Sequence, residues 1–326
     1  MKISTSNQIE KSKHTCPLCS SDTNQIIAKQ LRRGNGLVAY CNSCDHGFLV
    51  HKDQINAKEY YGELYRQEYS HHAESTATNA REIYEVYKNY QQERLFHIGP
   101  LLNTKTNLLE VGASAGQFLV HVKDKVEKVH AIELDKACCE FLEKELDIEV
   151  ASEFLENSKF AHLSYDIVCA FQVLEHVENP VAFIKNLKNT SKPGGYIYLE
   201  VPNLYDPLLS VWDVEAYRNF YYHSAHLNYF SEASLTKVAL EAGFKGNQIE
   251  IYFSQDYNLL NHLHWIMNNS PQPDCLIGLN GINLSGINQE ISGWLSQELK
   301  LLNLKYIEKL TASKCTSNLL MRIHNE

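Results

Sequence analysis

Four cysteines near the start of the chain are spaced for metal ligation. Cys16-Pro17-Leu18-Cys19 and Cys41-Asn42-Ser43-Cys44 form two C-x2-C pairs with twenty-one residues between them. In that pattern each pair makes a knuckle, and the two knuckles supply four thiolates to one tetrahedral zinc ion. Four thiolates leave no open coordination position, so the expected role of the metal is structural, holding together a module too small to fold on its own core. His14 and His46 flank the pairs as alternative donors, but the spacing favours ligation by all four cysteines.

A second constellation is a ligand shelf. Leu108-Leu109-Glu110-Val111-Gly112-Ala113-Ser114-Ala115-Gly116-Gln117-Phe118 reads as an apolar strand running into a glycine turn and then a helix. Gly112 and Gly116 permit a tight turn and close backbone approach, and a helix start presents N–H groups to a ligand. The next strand ends on Glu133, where a carboxylate can grip both hydroxyls of a ribose. Together they point to an adenosine-type ligand. The loop reads E-x-G-x-x-x-G rather than G-x-G-x-x-G, which disfavours a pyrophosphate-gripping dinucleotide site. Gly112-Ala113-Ser114-Ala115-Gly116 also satisfies G-x-S-x-G, the nucleophile elbow of α/β-hydrolases, with Ser114 as nucleophile. That reading needs several strands before the elbow, where this chain offers a cysteine module and helices, and it leaves Glu133 without a role.

The third group is Tyr221-Tyr222-His223-Ser224-Ala225-His226-Leu227-Asn228-Tyr229-Phe230-Ser231. It follows the fifth strand of the sheet read below, on the side where open parallel sheets bind ligands, and it concentrates groups able to move a proton. His226 is the first candidate for a general base, with His223 and Tyr222 next.

The elements that must position these groups follow from periodicity. Residues 14–50 read as turns and short strands: Gln25–Leu31 and Leu37–Tyr40 are apolar-rich runs joined by the hairpin signal Gly34-Asn35-Gly36, with a cysteine pair at each end. From residue 56 to 101 the pattern turns helical, with Ile83, Tyr84, Tyr87, Tyr90 and Phe96 near one face. Tyr60, Tyr61, Tyr65 and Tyr69 recur beside the cysteine module, mostly as helix-face packing, with one or two placed to close over a ligand. Then strands and helices alternate. The expected order is strand Asn107–Val111, helix Gly116–Asp124, strand Lys128–Ile132, helix Lys136–Leu146, strand Ile167–Phe171, helix Val181–Asn189, strand Tyr196–Val201, helix Glu232–Ala242 and strand Ile249–Phe253. Such alternation means a parallel sheet covered on both faces. Lys192-Pro193-Gly194-Gly195 ends the helix before the fifth strand. Residues 256–311 read as a mostly helical insertion before a final strand, Asn318–Ile323. The expected division is a zinc-binding module over 1–55, a helical connector over 56–105 and an α/β domain over 106–326.

Composition narrows the function. At 326 residues with 44% apolar content the chain can bury a large core beside a small one. The polar start has no apolar signal core and no run of eighteen apolar residues occurs, so the expectation is a cytoplasmic protein without membrane insertion, and the cysteine pairs suit a reducing compartment. Net charge is −9, split as +3 over residues 1–60 and −12 over the rest. An acidic body argues against extensive phosphate-backbone binding, although Lys29, Arg32 and Arg33 form a small basic patch. The five remaining cysteines, including Cys138 and Cys139, are expected to be packed thiols.

With these motifs in hand, residues 80–254 resemble class I S-adenosylmethionine-dependent methyltransferases. The resemblance runs through the glycine loop, Glu133, Tyr165-Asp166-Ile167-Val168, Phe171-Gln172-Val173-Leu174-Glu175-His176-Val177 and Lys192-Pro193-Gly194-Gly195; Ser114 stands where the family has its middle glycine. It implies a Rossmann-like, mostly parallel seven-stranded sheet and S-adenosylmethionine as cofactor. It also implies that Glu110 helps hold the methionine amine, that Glu133 binds ribose and that Ser152-Glu153-Phe154 borders the adenine. Gln172 would face cofactor or substrate, and Gly112, Ala113, Ser114, Gly116, Phe118, Leu134, Phe171, Val173 and His176 would complete the cofactor site. The order of cysteine module, tyrosine-rich segment, core and late histidine motif is similar to zinc-containing methyltransferases of sugar and surface-polysaccharide pathways, including C-methyltransferases of nucleotide-linked deoxysugars. There His226 matches the histidine of the H-L-x-Y-F-S pattern, but Ala225 replaces a glutamate, which favours oxygen or nitrogen acceptors as much as carbon. The implied partner is a small molecule, a sugar nucleotide or glycan precursor. Two alternatives stand beside it: an RNA methyltransferase using the zinc module for nucleic-acid contact, and a protein that holds the cofactor without catalysis.

Overall fold

The structure is a computed structural model of the chain, and it describes residues 11–12, 14–22, 24–32, 35–50, 58, 60–64 and 79–326. Arg33, Gly34, Tyr65, Tyr69 and the stretch 65–78 expected to be helical lie outside the described residues. The strands in chain order are β1 (Lys11–Ser12), β2 (Asn24–Gln30), β3 (Asn35–Cys41), β4 (His46–Leu49), β5 (Asn107–Val111), β6 (Lys128–Ile132), β7 (Glu149–Ala151), β8 (Tyr165–Phe171), β9 (Ser191–Pro202), β10 (Asn228–Phe230), β11 (Ile249–Ser254) and β12 (Asn318–Asn325). The chain forms two compact units. The cysteine unit comprises Met1–His51, Pro202–Ala233 and Phe253–Leu319; the sheet unit comprises Lys52–Val201, Ser234–Tyr252 and Leu320–Glu326.

The sheet unit is built on the seven-stranded order β11-β12-β9-β8-β5-β6-β7. Its middle strands are continuous apolar runs, as strands buried on both faces must be: Leu108, Leu109, Ile167, Val168, Cys169, Ile197, Tyr198 and Leu199 are all at 0–1% exposure. β5 pairs in parallel with β6 on one side, Asn107 opposite Lys128 through Val111 opposite Ile132, and with β8 on the other, Leu108 opposite Ile167. From β5 the chain winds outward through β6 to β7, then returns to β8 and β9 on the opposite side. That reversal leaves a crevice at the carboxyl ends of β5 and β8, the place where open sheets of this kind take ligands. This is the Rossmann-like, mostly parallel seven-stranded fold expected from the sequence.

Helix Lys136–Glu145 starts where the Asp135 side chain accepts from the Cys138 N–H at 2.9 Å, and it buries Cys138, Cys139, Phe141 and Leu142. Helix Pro180–Thr190 is capped by Asn179, has proline in its first turn and buries Ile184 and Leu187. Helix Glu232–Glu241 stops before Gly243, whose φ of +92° favours glycine.

Two local expectations are corrected. The segment 116–124 is not an α-helix but two 3-10 turns, Leu119–His121 and Lys123–Lys125. Phe118, Leu119 and Val122 are all fully buried, so core packing overrides a sequence already weakened by β-branched Val120 and Val122. Phe96 does not share the inward face. The helical stretch breaks into Ala80–Tyr87 and Gln92–Ile98, the second turning Ile98 inward and leaving Phe96 73% exposed.

The cysteine unit carries an antiparallel sheet in the order β1-β2-β3-β4-β10. β2 and β3 are the expected hairpin. β10 was not expected; it places Asn228, Tyr229 and Phe230 opposite Phe48, Gly47 and His46. The unit is therefore wider than residues 1–55, and it also takes in most of the insertion, with helices Leu259–Asn268, Leu276–Leu279 and Gln289–Ala312. Among the described residues no helix is long and apolar enough to cross a membrane.

Candidate active site and metal centre

In the sheet unit the glycine loop leaves β5 at the crevice. The Gly112 and Ala113 N–H groups donate to the Ile132 carbonyl at 2.8 and 3.1 Å, which folds the loop across the end of β6. Gly112 and Gly116 have φ of +76° and +77°, and side chains there would collide. A Cβ on Gly112 would lie 2.4 Å from Val173 Cγ2, and one on Gly116 2.6 Å from Leu146 Cδ1. Ser114, in the middle glycine's place, also takes a positive φ of +47°.

Glu133 locks this loop to β6. Its Oε2 accepts the Ser114 N–H at 2.6 Å, and its Oε1 accepts the Leu134 and Asp135 N–H groups at 2.7 and 2.8 Å. A carboxylate held by three main-chain donors is presented in one orientation, as recognition of a diol requires.

Beneath the loop lie three buried carboxylates with one guanidinium. Glu110 and Glu175 are each pushed up to about 8 by burial. Burial acts on Glu200 too, but the charge and hydrogen bonds of Arg94, with a bond from Gln172, hold it below its ordinary value. Arg94 Nε donates to Glu200 Oε2 at 3.1 Å and its Nη1 to Gln91 at 2.9 Å, while its guanidinium lies 4.4 Å from the centre of the Phe171 ring. Gln172, at φ +57°, donates to Glu200 at 3.1 Å. Glu110 Oε2 is buried at the end of β5 without a hydrogen-bond partner, an acceptor whose burial carries a cost until a donor meets it.

Two further features border this crevice. Tyr61 Oη and His176 Nδ1 are 3.2 Å apart, and Gly62 approaches the Leu134 carbonyl so closely that a Cβ would sit at 3.3 Å. The Tyr60–Leu64 turn therefore reaches both Leu134 and His176.

In the cysteine unit the four sulfurs lie within 4.8 Å of one another, Cys16 to Cys44 at 3.6 Å and Cys19 to Cys41 at 3.5 Å. Zinc–sulfur bonds of about 2.3 Å in a tetrahedron put sulfurs about 3.8 Å apart, so the set fits zinc. Without a cation the thiols cannot all ionise: hydrogen bonding from Cys44 drops Cys16 to about 5, while Cys44 itself is driven far up.

The same unit holds the late histidines. Their rings are 3.7 Å apart, and Tyr229 Oη receives the His223 N–H at 3.0 Å while donating to the His223 carbonyl at 3.1 Å. Tyr222 is buried against Tyr221 and Tyr229, and burial pushes its phenol up. Tyr222 is therefore held as a packed hydroxyl.

A family model described as a methyltransferase domain matches residues 82–249, more than half of the chain. The chain belongs to the methyltransferase domain family. A curated relative of this chain, named ubiquinone biosynthesis O-methyltransferase, from Leptothrix cholodnii, is 30% identical over 79 residues, which are 24% of this chain. The chain spans 30% of that relative's length. Among solved structures, a SAM-dependent methyltransferase from Archaeoglobus fulgidus superimposes with a TM-score of 0.46 at 17% identity, covering 73% of this chain and 94% of that one. Phosphoethanolamine N-methyltransferase 2 of Haemonchus contortus gives 0.48 at 14% identity, covering 85% and 62%.

Family membership sets aside the hydrolase reading of Ser114. Within the methyltransferase domain, Glu110, Gly112, Ala113, Ser114, Gly116, Glu133, Leu134, Gln172 and Val173 gather at the carboxyl ends of β5, β6 and β8. Phe118 and Phe171 are buried and meet edge-on, with ring centres 5.1 Å apart. Glu153 and Phe154 follow β7 and are exposed. Sequence reasoning missed Arg94, Gln91 and Glu200. Glu200 carried a signal, an acid near the end of the apolar β9; Arg94 carried none.

Proposed function

We propose that this protein is an S-adenosylmethionine-dependent methyltransferase acting on a small-molecule acceptor, a nucleotide-linked sugar or surface-glycan precursor, with oxygen as the methylated atom. The observation that carries the cofactor reading is the Glu133 carboxylate, fixed by three main-chain N–H groups beside the glycine loop. Glu110 fits the same ligand: its partnerless buried oxygen suits an ammonium group. When bound, the cofactor supplies a methyl carbon activated by its sulfonium. The loop from Gly112 to Gly116 holds the ligand by main-chain approach, Glu133 orients the ribose, and Glu110 takes the amino group. On the histidine-motif resemblance, His226 is the proposed base that removes the acceptor's proton.

Two observations support oxygen as the methylated atom. Ala225 before His226 removes the acid that carbon deprotonation would use, and the curated relative is named an O-methyltransferase. Arg32, in the basic patch that an RNA reading would need, instead donates to the Phe220 carbonyl at 2.6 Å and stacks on the Phe220 ring at 3.8 Å. The test is isothermal titration of zinc-replete protein with S-adenosylmethionine, S-adenosylhomocysteine and NAD. Micromolar binding of the first two and none of the third is expected; no binding by folded protein overturns the reading.

A further inference from the structure

We infer that the four-cysteine metal site is a positioning element for the loop that carries His223 and His226. This rests on the proposed function only in giving that loop an acceptor-side role; the mechanical linkage stands apart from it. The chain of contacts runs within the cysteine unit. Cys41 ends β3 and Cys44 lies two residues before β4, so an ion held by both fixes the turn from which β4 leaves. Asp45, at φ +59°, completes that turn by donating its N–H to the Cys41 carbonyl at 2.9 Å. Its carboxylate accepts the hydroxyls of Tyr40 and Tyr205, and its carbonyl accepts the Ser231 hydroxyl at 2.7 Å. One residue beside the metal thus grips the far side of the histidine segment.

β4 then carries the segment itself. His46, Gly47 and Phe48 pair with Phe230, Tyr229 and Asn228, and the Leu49 N–H donates to the Leu227 carbonyl at 3.1 Å, one residue from His226. Tyr229 relays the constraint to the loop's other end through its two hydrogen bonds to the His223 main chain. The strands are packed without slack at Gly47, where a Cβ would meet Tyr229 Cβ at 2.9 Å and Leu204 Cδ1 at 3.2 Å. The residues between Tyr222 and Asn228 form no helix or strand, so no regular ladder of their own holds them and these bonds help to place them. Removing the ion frees two knuckles whose sulfurs it would hold together, and the slack passes along β4 to His223 and His226.

The experiment is hydrogen–deuterium exchange on the full chain, zinc-loaded and after chelation, with S-adenosylhomocysteine titrated into both samples. Residues 46–50 and 222–231 should exchange at least about tenfold faster once zinc is lost. Helix Gln289–Ala312 and strands β5 and β8 should stay protected, S-adenosylhomocysteine affinity should stay within about twofold, and added zinc should restore protection. Unchanged exchange over 222–231 after verified zinc loss overturns the inference, as does equal loss across Gln289–Ala312, which would make the metal a general scaffold. Gly47→Val tests the same link with all four cysteines intact. It should raise exchange over 222–231 while zinc content is unchanged, and full protection in that variant would overturn the linkage. If the zinc-loaded protein fails to bind S-adenosylhomocysteine, the methyltransferase reading falls while the exchange pattern still decides the inference.

Discussion

Glu133→Gln is the most exacting perturbation of the cofactor shelf, because the side chain keeps its shape and loses only its capacity to accept at both atoms. In the native loop Oε1 accepts two N–H groups and Oε2 accepts one. The better amide orientation leaves the carbonyl on the pair from Leu134 and Asp135 and turns the NH2 toward the Ser114 N–H, donor against donor at what was a 2.6 Å contact. An unsatisfied donor of this kind costs about 1–3 kcal/mol, and converting the two remaining bonds from charge-assisted to neutral costs about 1 kcal/mol more. Loop distortion of about 2–4 kcal/mol corresponds to S-adenosylmethionine binding weakened roughly thirtyfold to a thousandfold. Titration calorimetry on both proteins reads this directly, with zinc content and far-ultraviolet dichroism checking that the fold is kept. Affinity within about threefold of the parent would refute the idea that this carboxylate organises the loop.

Gly112→Ala adds a Cβ 2.4 Å from Val173 Cγ2 at a φ of +76°, so cofactor binding should be lost while bound zinc is retained; normal binding in calorimetry would show that the loop yields. Glu110 and Glu175 are raised from 4.5 to about 8, so the folded state keeps protons that the unfolded chain releases. The stability they contribute is complete below about pH 4.5 and declines as pH rises through about 8, by on the order of a few kcal/mol each. Glu110→Gln should flatten the fall of the thermal midpoint of ligand-free protein between pH 5 and 8, and an unaltered slope by scanning calorimetry would refute that assignment. His226→Ala should leave S-adenosylmethionine affinity unchanged and remove turnover in a methyl-transfer assay; parental turnover would make that histidine structural.

The sheet unit was legible because its signals are local. Leu108, Leu109 and Val111, or Ile167 to Phe171, are uninterrupted apolar runs, and Asp135, Asn179 and Gly243 mark helix ends by their own chemistry. The glycine loop and Glu133 were legible for the same reason, since φ and spacing alone dictate them. What was not legible depended on distant partners. β10 is three residues long and takes its register from β4, 182 positions away at the His46–Asn228 contact. Arg94 meets Glu200 across 106 positions, and nothing around it in the chain distinguishes it from a solvated arginine. Phe96 was misjudged because a break near residue 90 rotates the second helix, and periodicity carried across a break misassigns every later face.

β12 lies between β9 and β11 in the sheet although, among the described residues, the other strands all precede it in the chain. During synthesis β9 and β11 therefore emerge with open edges on the sides β12 will fill, and such edges recruit other strands. The ribosome releases the filling strand only after the residues of helix Gln289–Ala312 have been made, a delay of several seconds at ordinary elongation rates of about 5–20 residues per second. Nascent chains stalled before residue 318 should thus be chaperone clients, and deletion of Asn318–Asn325 should divert the protein toward aggregation more than toward simple loss of stability.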